Sequence, residues 1–102
     1  MDIERTPLDA MLLAVLDEAP VHGYAVIVRL RERSAGGFDL PEGTVYPALH
    51  RLERDGLLRA TWSRADGRRR KTYALTRKGR AALERRRADW QAYTRAVGAV
   101  LG

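Results

Sequence analysis

Apolar residues recur along the chain in more than one rhythm, and each change of rhythm marks a new element. Leu8, Leu12, Val15, Leu16 and Ala19 fall at helical spacing and give a first helix with one apolar face. Thr6 can cap it, and Pro7 suits the first helical position, where a missing N–H has no intrahelical partner anyway. Pro20 ends it. A second helix starts around His22-Gly23, carries Tyr24, Ile27, Val28 and Leu30 to about Ser34, and stops at Gly36-Gly37. Phe38-Asp39-Leu40 reads as a short extended edge piece. A third helix runs from Glu42 to Asp55 and closes at Gly56. At about 100° per residue, Val45, Ala48, Leu49 and Leu52 share one of its faces. Pro47, His50 and Arg54 point the opposite way, with Thr44, Tyr46 and Arg51 on the flanks. Pro47 belongs within or near the first turn, because deeper in the helix it removes a hydrogen bond.

After Gly56 the period becomes two. Leu58, Ala60 and Trp62 alternate with Arg59, Thr61 and Ser63, the pattern of a half-buried strand. Asp66-Gly67 is a hairpin turn signal, and Lys71 to Leu75 reads as the return strand with Tyr73 and Leu75 facing inward. Thr76 then caps a last helix roughly 38 Å long at about 1.5 Å per residue. Leu83, Trp90 and Val97 are spaced by heptads, and Tyr93 and Val100 form a companion seam that Arg86 interrupts. A stripe this long exceeds what a small three-helix core can cover. A second copy of the same helix is the simplest partner, so Leu83, Trp90, Tyr93, Val97 and Val100 are the expected dimer interface.

The resulting fold class is mainly α with a small β-hairpin. Three helices, a hairpin and a long helix in that order have the layout of a winged helix-turn-helix followed by a C-terminal dimerisation helix. One helix then enters the major groove, and the wing meets phosphates or the adjacent minor groove. Residues 1–75 form the DNA-binding head and residues 76–102 the dimerisation helix, together one compact unit.

Charge sharpens this expectation. The net charge is +6, but residues 1–58 hold 6 Lys/Arg against 10 Asp/Glu, whereas residues 59–102 hold 13 against 3. A basic surface of this kind gains free energy by releasing the counterions condensed on a nucleic acid. Four of these cations, Arg68, Arg69, Arg70 and Lys71, are adjacent just past the hairpin tip, where a bound phosphate backbone relieves their mutual repulsion. Arg85-Arg86-Arg87 on the last helix is equally compatible with a solvated polar face. There is no cysteine, no close spacing of metal ligands around the two histidines, and no Gly-rich phosphate loop, so neither an enzyme nor a metal or cofactor site is expected. No apolar run approaches the ~20 residues of a membrane span, and the N-terminal acids are unlike a signal peptide, which points to the cytoplasm.

Three stretches together resemble the PadR family of bacterial winged-helix transcriptional regulators: LDAMLLAVLDEAPVHGYAVIVRL, EGTVYPALHRLERDGLL and GRRRKTYALTRKGRAAL. The similarity spans roughly residues 8–83. Val45, where the family more often has leucine, and Arg77, where many members have an acid, depart from its pattern. The resemblance implies a homodimeric repressor that binds a palindromic operator on double-stranded DNA, associates with the nucleoid there, and is released by a small effector. It assigns Thr44, Tyr46 and Arg51 to DNA contact, beside the Arg68 to Lys71 wing. It also implies a small aromatic effector near the dimer interface, with Trp90 where some relatives stack an aromatic residue on ligand.

Each residue also has a plainer reading. Arg51 and Arg54 can offer bidentate donors to guanine or clamp phosphates, while Arg54 can instead pair with Asp55. Thr44 and Tyr46 offer hydroxyls to phosphate, or serve as a helix cap and a half-buried ring. His50 faces outward toward a base or backbone, or is a surface histidine; His22 is structural. Trp90 is interface packing, ligand platform, or both. The rival functions are a winged-helix protein-interaction module and a sequence-independent DNA-binding protein.

Overall fold

The computed structural model describes residues 7–102, so Thr6 lies outside the described residues. Helix α1 (Pro7–Glu18) opens on its proline and buries Leu12, Leu13, Val15 and Leu16. A two-residue strand β1 (Val21–His22) leads into α2 (Gly23–Arg33), and a loop leads to α3 (Glu42–Arg54). The hairpin β2 (Leu58–Ala65) and β3 (Arg68–Leu75) follows, and then α4 (Arg77–Leu101).

The sheet is antiparallel in the order β1-β3-β2. This corrects the expected edge piece at Phe38–Leu40, which carries no strand: the third strand is Val21–His22, paired to Tyr73 and Thr72. Val21 is buried there, whereas Phe38 stays exposed on the α2–α3 loop. The return strand begins at Arg68, three residues before the expected start, because Asp66 and Gly67 both adopt positive φ (54° and 75°) and close a two-residue turn. Such a turn matches the right-handed twist of its strands, so pairing runs unbroken to the tip.

Leu12, Leu13, Val15, Val26, Val45, Leu49 and Leu83 are the largest fully buried side chains at the centre of the core. In α2 the buried residues are Val26, Ile27 and Leu30, whereas Tyr24, expected among the apolar positions of this helix, is exposed. Truncating Leu49 to alanine at this centre costs about 2–5 kcal/mol on the general record of such changes.

The start of α4 is fastened to the end of α3. Gly56 (φ 78°) closes α3 with its N–H on the Glu53 carbonyl (3.0 Å) and the Leu57 N–H on that of Leu52 (2.9 Å), a Schellman arrangement. The Thr76 hydroxyl caps α4 by accepting from the Gly79 N–H at 3.0 Å and lies 2.7 Å from the Gly56 carbonyl oxygen. Gly79 is required because a Cβ there would overlap the Leu57 carbonyl. The Asp17 carboxylate of α1 faces Arg80 (3.8 Å) and Arg87 (3.7 Å) of α4. Leu83, expected in the dimer seam, belongs instead to the core of its own chain, only 1% exposed. No helix among the described residues is long and apolar enough to cross a membrane.

Candidate nucleic-acid interface

Pro41 is the N-cap of α3, and its carbonyl accepts from the Thr44 and Val45 N–H groups, so Thr44 is not the cap. Its inner face is Val45, Ala48, Leu49 and Leu52, all buried. Gly43, Pro47, His50 and Arg54 are exposed and share the opposite face at about 100° per residue. Pro47 is the sixth helical residue, just past the first turn, and with no N–H it cannot donate to the Gly43 carbonyl four residues before it. Arg54 makes no ion pair or side-chain hydrogen bond with another described residue, so the alternative pairing with Asp55 is not formed.

The flanks of α3 are engaged by the rest of the chain. Arg51 donates from Nη2 to Asp9 Oδ1 of α1 at 2.8 Å. Its guanidinium lines the groove between α1, the end of α3 and α4, beside Arg85 and Asp89. On the other flank, the Tyr46 ring packs on the backbone of Gly23, where a Cβ would come within 3.1 Å of Cε1. Glycine at the start of α2 is thus the seat of a tyrosine from α3. Burial first, then the Glu42 carboxylate, raises the Tyr46 hydroxyl above its ordinary value, so it stays a protonated donor. Thr44 and His50 are exposed, and His22 sits at the N-cap position of α2 without capping it by its side chain.

The basic run lies on β3, not on a loop, and the pleat divides it. Register places Arg69 opposite Arg64 and Lys71 opposite Trp62, so these four share the face that continues inward to Tyr73 and Leu58. Arg68 and Arg70 project from the other face with Arg59, Thr61 and Ser63. Trp62, expected to face inward in a half-buried strand, is 58% exposed because the hairpin extends beyond the core. The Arg69 guanidinium lies 4.6 Å from the centre of its ring, close enough for a cation–π contact. Lys71 Nζ is 3.0 Å from Glu53 Oε1 of α3 and 5.2 Å from the centre of the Tyr73 ring. Arg59, Arg64, Arg68 and Arg70 have no acidic partner among the described residues.

A helix with an exposed outer face beside a hairpin of unmatched arginines agrees with the comparisons with known proteins. The model of the transcriptional regulator PadR-like family matches residues 12–85, which include α3 and the whole wing. The chain belongs to that family. A transcriptional regulator of Mycobacterium tuberculosis is 52% identical over 88 residues, 85% of this chain and 79% of the relative. A PadR family transcription regulator from Clostridium difficile has a crystal structure similar to this fold, with a TM-score of 0.85 and 32% identity, covering 95% of this chain and all of that one. A PadR family regulator from Eggerthella lenta gives 0.83 at 33% identity, covering 93% and 81%. PadR-like proteins are DNA-binding transcriptional regulators and not enzymes, and this chain has their winged-helix fold.

In this PadR-like chain the last dozen residues of α4 extend past the core. Trp90 is 53% exposed, with the Tyr93 ring tilted 34° to it at 5.6 Å, and Leu101 is 78% exposed. Val97 and Val100 are exposed as well. Arg87 reaches Glu84 at 2.6 Å in addition to Asp17, so part of the Arg85–Arg87 run fastens α4 to itself and to α1. The exposed Tyr24 and Trp62 escape a reading of the sequence as surface residues, because aromatics on an amphipathic pattern read as core. The single signal that separates Trp62 is its position within a few residues of the turn, where a hairpin outruns its support.

Proposed function

We propose that the chain acts as a homodimeric repressor on a palindromic operator, with a head of residues 1–75 and a pairing helix of residues 76–102. The observation that carries this reading is the apolar tip of α4, Trp90, Val97, Val100 and Leu101, exposed on a helix whose other end is fastened to the head through Thr76. A second copy laid along that tip covers it and presents two α3 helices related by a two-fold axis. Two such helices reach successive major grooves about 34 Å apart, which is why the site should be palindromic.

Within each half-site, His50, Arg54 and Thr44 of α3 face the groove, and Arg68, Arg69 and Arg70 of the wing take phosphates or the adjacent minor groove. Tyr46 adds a hydroxyl at the flank. Arg51 stays with Asp9 and takes no direct part in reading the site. A flat aromatic effector fits between paired Trp90-Tyr93 plates at the tail, where its binding alters the spacing of the two heads.

The test combines sedimentation with selection of bound genomic fragments. The wild type should sediment as a dimer and enrich a palindrome, and adding the protein should lower transcription from the neighbouring promoter. The Val97→Asp, Leu101→Asp variant should sediment as a monomer with an unchanged fold by circular dichroism and lose the palindrome. A monomeric wild type, or equal retention of all fragments, defeats the proposal.

A further inference from the structure

We propose that Lys71 and Glu53 form a latch between the wing and α3 that sets the wing's angle, making Lys71 a positioning residue and not a phosphate contact. The inference rests on the duplex-binding reading above and revises the part assigned to one of its cations.

The sheet is three-stranded only at its base. Strand β1 pairs with Tyr73 and Thr72 and goes no further. Lys71 is the next residue outward, the first on β3 that the third strand does not support. Beyond it the wing is a two-stranded ribbon, which alone is marginal in water and free to twist. At that point the Lys71 ammonium crosses to the last turn of α3 and meets Glu53 at 3.0 Å. The two side chains are 26% and 35% exposed, so both are partly buried, whereas the arginines around them are exposed.

The ammonium is held from a further side. It lies over the Tyr73 ring, and Tyr73 is buried beside Tyr46 of α3, so cation, ring and helix make one continuous corner. The Glu53 hydrogen bond raises the Lys71 ammonium above its ordinary value, which keeps the latch charged throughout the physiological range. A carboxylate at this distance also argues against a phosphate there. It neutralises the one wing cation that it touches, while Arg68 and Arg70 are left unmatched among the described residues.

The two roles predict opposite signs for one variant. If Lys71 held a phosphate, Glu53→Gln would remove a repelling carboxylate and tighten binding. As a latch, Glu53→Gln releases the wing and weakens binding, by about threefold for each wing and near tenfold for a two-winged dimer, the scale of a partly exposed ion pair. The probe is a short mixed-sequence duplex in low-salt buffer, followed by fluorescence anisotropy. Lys71→Glu should weaken binding further, and the charge swap Glu53→Lys with Lys71→Glu, whose net charge equals the wild type's, should recover to within about twofold. Tighter or unchanged binding by Glu53→Gln, or a swap as weak as Lys71→Glu alone, overturns the latch. A wild type that binds no duplex defeats the duplex-binding reading instead. The latch is then judged by the emission of Trp62, which stands opposite Lys71 and is the sole tryptophan after Trp90→Phe. Glu53→Gln should shift that emission and the swap restore it; an unmoved spectrum overturns the latch without reference to DNA.

Discussion

Helix α3 and the wing stand side by side, yet the chain treats their cations differently. Of the two α3 arginines, Arg51 is held by Asp9 and only Arg54 is left on the outer face. On the hairpin, Arg59, Arg64, Arg68 and Arg70 have no acidic partner among the described residues, Arg69 has only an aromatic ring, and Lys71 alone is ion-paired. The difference teaches a division of labour. A helix with one free guanidinium and a histidine supplies few, well-oriented contacts of the kind that reads base edges. A ribbon of unmatched arginines supplies attachment, which depends on charge and salt far more than on sequence.

The division breaks most visibly at the wing. Arg68→Ala, Arg69→Ala and Arg70→Ala together should lower affinity for every duplex, and the slope of log affinity against log salt should shrink by about 0.9 for each phosphate that the wing no longer neutralises. Preference among sequences should survive. Anisotropy titrations across a salt series check both statements, and an unchanged slope would take the wing off the duplex.

Next in size is the contrast inside α3. Arg54→Ala should cost about 1–3 kcal/mol on the preferred site and relax one base position, with no change in melting temperature. Arg51→Ala should do the reverse. It should lower stability by about 0.2–1 kcal/mol, the worth of an exposed ion pair, and leave sequence preference intact. Should Arg51→Ala be the variant that relaxes specificity, Asp9 is a carboxylate that Arg51 exchanges on binding.

What the sequence makes legible divides along physical lines. Local signals carry through: Asp66-Gly67 makes its turn with both φ positive, Gly56 closes α3, and the Thr76 hydroxyl caps α4. Each depends on residues within a few positions of one another. Strand β1 is illegible because two residues carry no period, and its partner lies on β3, far along the chain. Arg51 reads as a DNA contact because the acid that holds it is 42 residues upstream, beyond the reach of any helical wheel. The basic run reads as one cluster only while it sits on a loop past the hairpin tip; as strand, its members are sent by the pleat to opposite faces. Leu83 illustrates a subtler limit. Residues 83, 90 and 97 do lie on one stripe of α4, but the stripe runs out of the core into solvent, and spacing alone does not say where it leaves.

The smallest effect sharpens the comparison at the corner where α3 and the wing meet. Tyr46 and Lys71 both have values raised above their ordinary 10.0 and 10.5, the first chiefly by burial and the second chiefly by its hydrogen bond to Glu53. An unfolded tyrosine ionises near its ordinary value while the folded Tyr46 keeps its proton, so alkali favours the unfolded chain. An unfolded lysine likewise loses its proton before the latched Lys71 does, so the latch's contribution is fully present below the unfolded value and fades as pH climbs through the folded one. Both contributions have the same sign. Thermal melts should therefore show no loss from these two groups up to roughly pH 9, and a decline above about pH 10. Tyr46→Phe should remove one part of the decline and Glu53→Gln the other. A decline of full size in the double variant would place the alkali-sensitive groups elsewhere and separate the helix–wing corner from the stability of the head.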